Sequence, residues 1–250
     1  SVTTQHALYD SSRGAGSGHI LIPNTTDPEG GTAGSTSDAQ YGYLSSFNSN
    51  GISTVTGSSG TNYFFNNNGV TYVAWNWKAN GGTTSSNTSG SITSTTQVNA
   101  TAGFSIVTYT GTGSAATVGH GLGVAPNMII VKSRSTAGTD WPVYHSSLGA
   151  TGIVALDSTI AFTVISSPWN NTAPTSSVMT VGTSGDTNGS SRTYVAYCWS
   201  EIAGFSKFGS YTGNGSTDGP FIYTGFRPKF VMIKSSSDTG SWILLDSSRS

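Results

Sequence analysis

The chain has 250 residues, a formal net charge of −1 and charged side chains at only 8% of its positions. Charge this sparse argues against the phosphate capture that nucleic-acid binding needs, and it offers no basic face to anionic lipid. No apolar run approaches the ~18–20 residues of a membrane span, and the single cysteine, Cys198, excludes an internal disulfide.

Ser and Thr together number 78, against eight Leu and two Glu. Strong helix formers are therefore scarce, and Thr, Val, Ile and aromatic residues carry the apolar content, which predicts an all-β chain. Taken in order, HALYDSSRG (6–14) and HILIPN (19–24) precede a Gly/Thr/Ser/Asp-rich stretch, 25–42, that reads as a long loop. LSSFNSNGISTVTG (44–57) holds an Asn50-Gly51 turn between two short extended stretches. TYVAWNWK (71–78) reads as the clearest strand, with Val73, Trp75 and Trp77 on one face. The polar, low-complexity 81–102 reads as a linker or solvated arm. Strands are then expected near 104–110, 127–133, 141–146, 152–157, 176–182 and 193–200. MIIV (128–131) is an unbroken apolar run, as expected of a strand covered on both faces.

Much of this recurs. GFSIVTYTGTGS (103–114), APNMIIVKS (125–133) and Trp141 return as GFSKFGSYTGNGS (204–216), RPKFVMIKS (227–235) and Trp242. Pro126 and Pro228, Lys132 and Lys234, and Tyr109 and Tyr211 each lie 102 positions apart. TYVAWNWK returns as TYVAYCWSE (193–201), and LYDSSR (8–13) as LLDSSR (244–249) with the weaker VYHSS (143–147) between them. A period of this kind defines a structural unit. The reading is one of tandem antiparallel β-sandwich modules, jelly-roll or concanavalin-like. Residues 1–80 form the back part of one module, 103–202 a complete module, and 203–250 the front part of another. The two partial modules are expected to complete one another, to pair with a neighbouring subunit, or to belong to a longer array.

Signals for chemistry are few. The nucleophile elbow G-x-S-x-G and the phosphate loop are both absent, and two Glu make a thin supply for polysaccharide hydrolysis. Asp10 and Asp246 occupy equivalent positions, with His145 between them, and read as turn caps. His120 has no second ligand at metal spacing. Asp186-x-Asn188-Gly189 is a fragment of a calcium loop that reads as a hairpin turn. Cys198 reads as a small packed side chain. Trp169 alone among the tryptophans breaks the repeat pattern. It lies in the loop SSPWNNTAP (166–174) beside Asn170 and Asn171, so these three are the candidate sugar contacts, with a loop plug as the alternative. No catalytic residues, metal or cofactor are assigned.

The set GFSIVTYTGTGS, VGHGLGVAPNMIIVKSR, DWPVYHSSLGAT, WNNTAPTSSVMTVG and TYVAYCWSEIAGFSKFGSYTGNGSTDGPFIYTGFRPKFVMIK resembles a repeat family found in virion and tail-associated proteins of marine bacteriophages. The resemblance covers nearly the whole chain. It implies a structural module of tail-fibre or capsid-decoration type on the virion surface, assembled in the bacterial host cytoplasm. The expected partners are other virion proteins, further copies of the chain and a host surface glycan. The family brings no catalytic residues. The alternative function is a carbohydrate-binding module.

Overall fold

The computed structural model describes residues 5–33, 36–59 and 64–249. Its elements are almost all strands: β1 (Tyr43–Asn48), β2 (Gly51–Val55), β3 (Ser85–Asn87), β4 (Ser94–Asn99), β5 (Phe104–Thr110), β6 (Ala116–Gly119), β7 (Met128–Ser133), β8 (Pro142–His145), β9 (Gly149–Ala155), β10 (Thr163–Val164), β11 (Val178–Val181), β12 (Thr193–Trp199), β13 (Phe230–Ile233) and β14 (Ile243–Asp246). Helix is confined to single turns at Asp38–Tyr41 and Ala100–Ala102. No described helix is long and apolar enough to cross a membrane.

One eight-stranded antiparallel sheet organises the molecule, in the order β10-β9-β8-β7-β12-β5-β4-β3. The most apolar strands, β7 and β12, sit at its centre, and both their faces are buried. Alternation sorts the side chains between two cores. Val107, Ile129, Val131, Tyr144, Tyr194, Ala196 and Cys198 face the two-stranded β6–β11 sheet, whose Val118, Met179 and Val181 close an antiparallel sandwich. Phe104, Ile106, Ile130, Val143, Val195 and Tyr197 face the other way and are covered by Leu8 and Leu21 of the N-terminal segment, with Trp141 beside them. Each such aliphatic side chain contributes about 1.5–3 kcal/mol on burial. The chain enters β5 through Gly103 at φ 65°, where a Cβ would meet the Ser200 carbonyl oxygen at 2.4 Å, so the glycine of the GFS motif is needed there.

Three expectations change. Residues 71–78 belong to no strand, and Val73 and Trp77 are exposed. The equivalent β12 is a strand because β5 and β7 flank it on both sides. Without such neighbours the β propensity of TYVAWNWK is unspent. Residues 81–102 are no solvated arm, since they carry β3 and β4 at one end of the sheet. Polar side chains are buried there because they are paired: Ser94 Oγ donates to Gly119 O at 2.7 Å, and Gln97 Oε1 accepts from Ser11 Oγ at 3.1 Å and Gly82 N–H at 3.1 Å. Two short strands, β6 and β10, were not expected at all. The hairpin expected around Asn50-Gly51 does form, as β1–β2, with the turn one residue earlier: Gly51 already pairs with Asn48, and Ser49 and Asn50 make the turn.

Outside the central sheet, β13 pairs with β14 in the register Phe230↔Asp246 and Met232↔Leu244. That is the register of β7 with β8, Met128↔His145 and Ile130↔Val143, at sequence-equivalent positions. Leu8 likewise bridges Leu21 as Val143 pairs with Val154.

Candidate functional site

The densest polar chemistry lies where the N-terminal segment meets the central sheet. It begins with a local turn. Asp10 Oδ1 accepts the backbone N–H groups of Ser12 (3.0 Å) and Arg13 (2.9 Å), an arrangement Asp favours because its short side chain reaches two residues ahead. The turn brings Arg13 Nε onto Asp10 Oδ2, and Tyr197 on β12 donates its hydroxyl to the same oxygen at 2.6 Å. Arg13 Nη1 also donates to His19 O (2.6 Å) and to Glu29 Oε1 (2.9 Å). The second Glu29 oxygen holds Arg134 Nε at 2.7 Å.

Arg13 is enclosed, with its side chain fully out of solvent. Burial opposes its charge, but Tyr197, Asp10 and Glu29 outweigh that and keep the guanidinium protonated. Burial drives the Tyr197 phenol well above its ordinary range, so it keeps the proton that it donates to Asp10.

Lys132 projects from β7 toward Thr139 and Trp141. Its Nζ donates to Thr139 O at 2.6 Å and Thr139 Oγ1 at 3.3 Å, and it lies 5.4 Å from the centre of the Trp141 ring. Burial lowers its pKa to about 8, partly offset by Asp157, Asp186, Asp27 and Asp140. Burial pushes the Asp140 carboxyl up, with Asp186 adding to the rise. Asp157 is also raised by burial, although its Oδ1 accepts the Trp141 N–H at 3.1 Å. Asp27 goes the other way, because hydrogen bonds from Thr32, Thr25 and Thr36 outweigh its burial. Two of these contacts cross from the central sheet to the N-terminal segment, Tyr197 onto Asp10 and Arg134 onto Glu29, while Asp27 is held within its own segment. The arrangement ties segments together.

Two backbone hydrogen bonds complete the junction: Glu29 N–H to Arg134 O and Gly138 N–H to Thr26 O, both 2.9 Å. The same pair recurs between the central sheet and the C-terminal hairpin. There Phe162 N–H donates to Ser236 O and Gly240 N–H to Thr159 O, again at 2.9 Å. Arg134 and Ser236, like Gly138 and Gly240, are 102 positions apart, while Thr26 and Thr159, like Glu29 and Phe162, are 133 apart. A tryptophan accompanies each pair: Trp141 Nε1 donates to Thr25 O at 3.0 Å, and Trp242 Nε1 to Ala155 O at 2.8 Å.

The residues singled out from sequence do not converge on one place. Trp169 is 2% exposed and packed edge-on to Tyr144 in the sandwich core. Its ring offers no face to a sugar, and of the two expected roles it fills the plug. The reason is apolar: the β6–β11 layer is only two strands wide, and the indole fills the space beside it. Asn170 and Asn171 are exposed, both near φ 50°, a left-handed conformation that Asn tolerates. They stand at the surface without the aromatic platform that a sugar site would have needed.

His120 is buried and satisfied, with Nε2 3.1 Å from Thr175 O and Nδ1 accepting Leu122 N–H at 3.2 Å. Burial lowers its pKa, so it is neutral. Asn188 closes a turn, accepting Thr112 N–H at 2.8 Å and donating to Ser114 O and Gly182 O. Cys198 is fully buried and its thiol is pushed up to about 12. Among the described residues no group of three or more His, Cys, Asp or Glu side chains is placed to hold a metal.

Sequence reasoning missed the Glu29–Arg134 pair and the buried Lys132. One signal was present: Lys132 follows an apolar run destined for burial, and a lysine there needs a partner.

A family model described as Domain of unknown function (DUF7483) matches residues 1–250. No curated protein and no solved structure matches the chain.

Proposed function

The chain belongs to the DUF7483 family, and we propose that it is a building unit of a bacteriophage particle surface, of tail-fibre or capsid-decoration type, with contact to the host as a secondary task. The observation that carries a building role is the recurrence of one junction. The same two backbone bonds join the N-terminal segment to the central sheet and the central sheet to the C-terminal hairpin. A surface that joins like to like, head to tail, is what an extended or decorated structure requires. Interior charges committed to ties between segments, low overall charge and a Ser/Thr/Gly-rich β framework all accord with a scaffold rather than a turnover site. The particle itself comes from the sequence resemblance.

The test is labelling of intact particles with antibodies raised against the folded chain. Label on unopened virions supports the reading, and label that appears only after disruption sinks it.

A second reading, carbohydrate binding, has one observation in its favour. An open groove of about 310 Å³ crosses the sheet, walled by Thr95, Thr108, Thr110, Thr193 and Arg134. Cross-strand pairing sets Thr95 beside Thr108 and Thr110 beside Thr193, which makes a row of hydroxyls suited to a polyol. A glycan array on the chain and on Thr108→Val tests it, with binding lost in the variant as the supporting result.

A further inference from the structure

The central sheet and its flanks treat equivalent residues differently. Val195, Ile129 and Tyr144 are buried; their sequence equivalents Val73, Val231 and Leu245 are exposed. Two apolar strips therefore face solvent, one along residues 73–78 and one along β13–β14. Contiguous exposed apolar surface of this kind is where a partner docks.

The strips fit each other. Trp77 lies 5.8 Å from Phe230 between ring centres, Trp75 lies 5.7 Å from the same ring, and the Arg249 guanidinium is 5.1 Å over Trp75. Trp77 and Phe230 are the equivalents of Trp199 and Met128, which oppose each other on β12 and β7. Residues 73–78 are thus shaped for β13 in the register that β12 uses on β7. Within one chain, however, only side chains meet. Residues 73–78 are in no strand, and β13 pairs with β14 alone among the described residues.

Anchoring explains the gap. Lys78 O accepts Asn99 Nδ2 at 3.0 Å beside β4, and Ala79 is buried. The C-terminal hairpin is tied by Thr159, Ala155 and Phe162 to the opposite end of the sheet, near β9 and β10. Each strip is held from a different end of the same eight-stranded sheet. A second copy carries no such tether between its own strip and this β13.

We propose that two copies of the chain associate by exchanging these strips, residues 73–78 of each adding as a strand to β13 of the other. Such an arrangement is isologous: one patch meets its own image, two exposed edges are paired, and the dimer closes. It stands apart from the particle-surface reading, since the dimer forms in solution whether or not the chain sits on a virion.

The register sets the test. In the β12·β7 ladder Cys198 opposes Ile129, so Asn76 should oppose Val231 across the dimer. Both are exposed, so Asn76→Cys with Val231→Cys leaves the core untouched, and native Cys198 is buried and does not compete. Sedimentation of the unmodified chain at micromolar concentration should give twice the 25.7 kDa monomer mass, and Phe230→Ser should return it to the monomer. Oxidation of the double variant should yield a covalent dimer on a non-reducing gel. A monomeric unmodified chain, or a disulfide formed within one chain, overturns the proposal. So does a dimer that leaves the two cysteines unlinked.

Discussion

The chain contains one short motif in two surroundings. In LYDSSR and LLDSSR the aspartate accepts the same two backbone N–H groups, 12 and 13 in one copy and 248 and 249 in the other. The arginine turns back onto the second carboxylate oxygen in both, and its Nη2 reaches the carbonyl of Leu8 or of Leu244. Locally the two are one object. Globally they differ: the Arg13 side chain is sealed under Tyr197 and Glu29, while that of Arg249 is 43% exposed. Six residues determine the hydrogen bonds; the segment that lies over them determines what those bonds are worth.

The largest expected consequence is at Arg13. Arg13→Ala leaves the Asp10 carboxylate in a closed site with only Tyr197 and its own turn N–H groups, and takes away one of the two arginines on Glu29. The cost should be about 3–5 kcal/mol, the range for breaking one partner out of a buried ion network. Urea denaturation followed by tryptophan fluorescence measures it, and a loss below about 1 kcal/mol would mean that the N-terminal segment is not held by this network.

Next comes Lys132 against Lys234. Lys132 has a folded pKa near 8, below its unfolded value of about 10.4. Between those values the unfolded chain binds the proton and the folded chain does not, so stability rises with pH. Tyr197 and Tyr109 have folded values above the ordinary 10 and take stability away beyond it. Cys198, whose buried thiol is pushed up to about 12, takes stability away by the same rule from about pH 8.5 upward, so the climb of about 2 kcal/mol that Lys132 gives between pH 8 and pH 10 should appear in full only on a Cys198→Ala background, with a fall beyond pH 10. There Lys132→Met should flatten the climb, whereas Lys234→Met, on a half-buried side chain bonded to Thr159 O and Ser235 O whose pKa burial also lowers, should remove the smaller share of it.

A smaller effect is expected at the middle copy of the motif. His145 stands where Asp10 and Asp246 stand, and its Nδ1 accepts Ser147 N–H at 3.2 Å, doing with imidazole what the others do with carboxylate. Burial lowers its pKa, so as pH falls below about 6.5 the unfolded chain takes up a proton that the folded one refuses, and stability drops. His145→Asn keeps a turn acceptor and removes the titration. Between about pH 6.5 and pH 5 the stability curve should become shallower, with His120 supplying what is left of the slope there, before the lowered carboxylates of Asp27 and Glu201 take over at more acid pH.

How much of this the sequence disclosed follows the same division between local and global. The β7–β8 and β13–β14 hairpins and the aspartate turns were legible because neighbours in sequence make them. Residues 71–78 misled for the opposite reason. Their pattern is that of β12, yet β12 owes its ladder to β5 and β7, which nothing in eight residues reveals. Residues 81–102 misled because Ser94, Thr96 and Gln97 look solvated until their partners, some of them far along the chain, are known. Trp169 broke the repeat pattern in sequence and looked free to bind; its burial depends on the width of the β6–β11 layer. The Glu29–Arg134 pair spans 105 positions, a separation that no local pattern marks.

The smallest expected effect sharpens the comparison most. Arg249→Ala removes the two bonds internal to the motif that Arg13→Ala also removes, but from a side chain in contact with water, where an ion pair gains little and is screened by salt. Measured on dilute, monomeric chain, the variant should unfold at the same urea midpoint as the parent within the scatter of the experiment. The guanidinium also covers Trp75, on the strip that we assign to a second copy. Raising the concentration should then separate the two chains, because a dimer built through residues 73–78 would enclose Arg249 as the N-terminal segment encloses Arg13. A midpoint that stays indistinguishable from the parent at every concentration would leave the C-terminal motif a surface turn and nothing more.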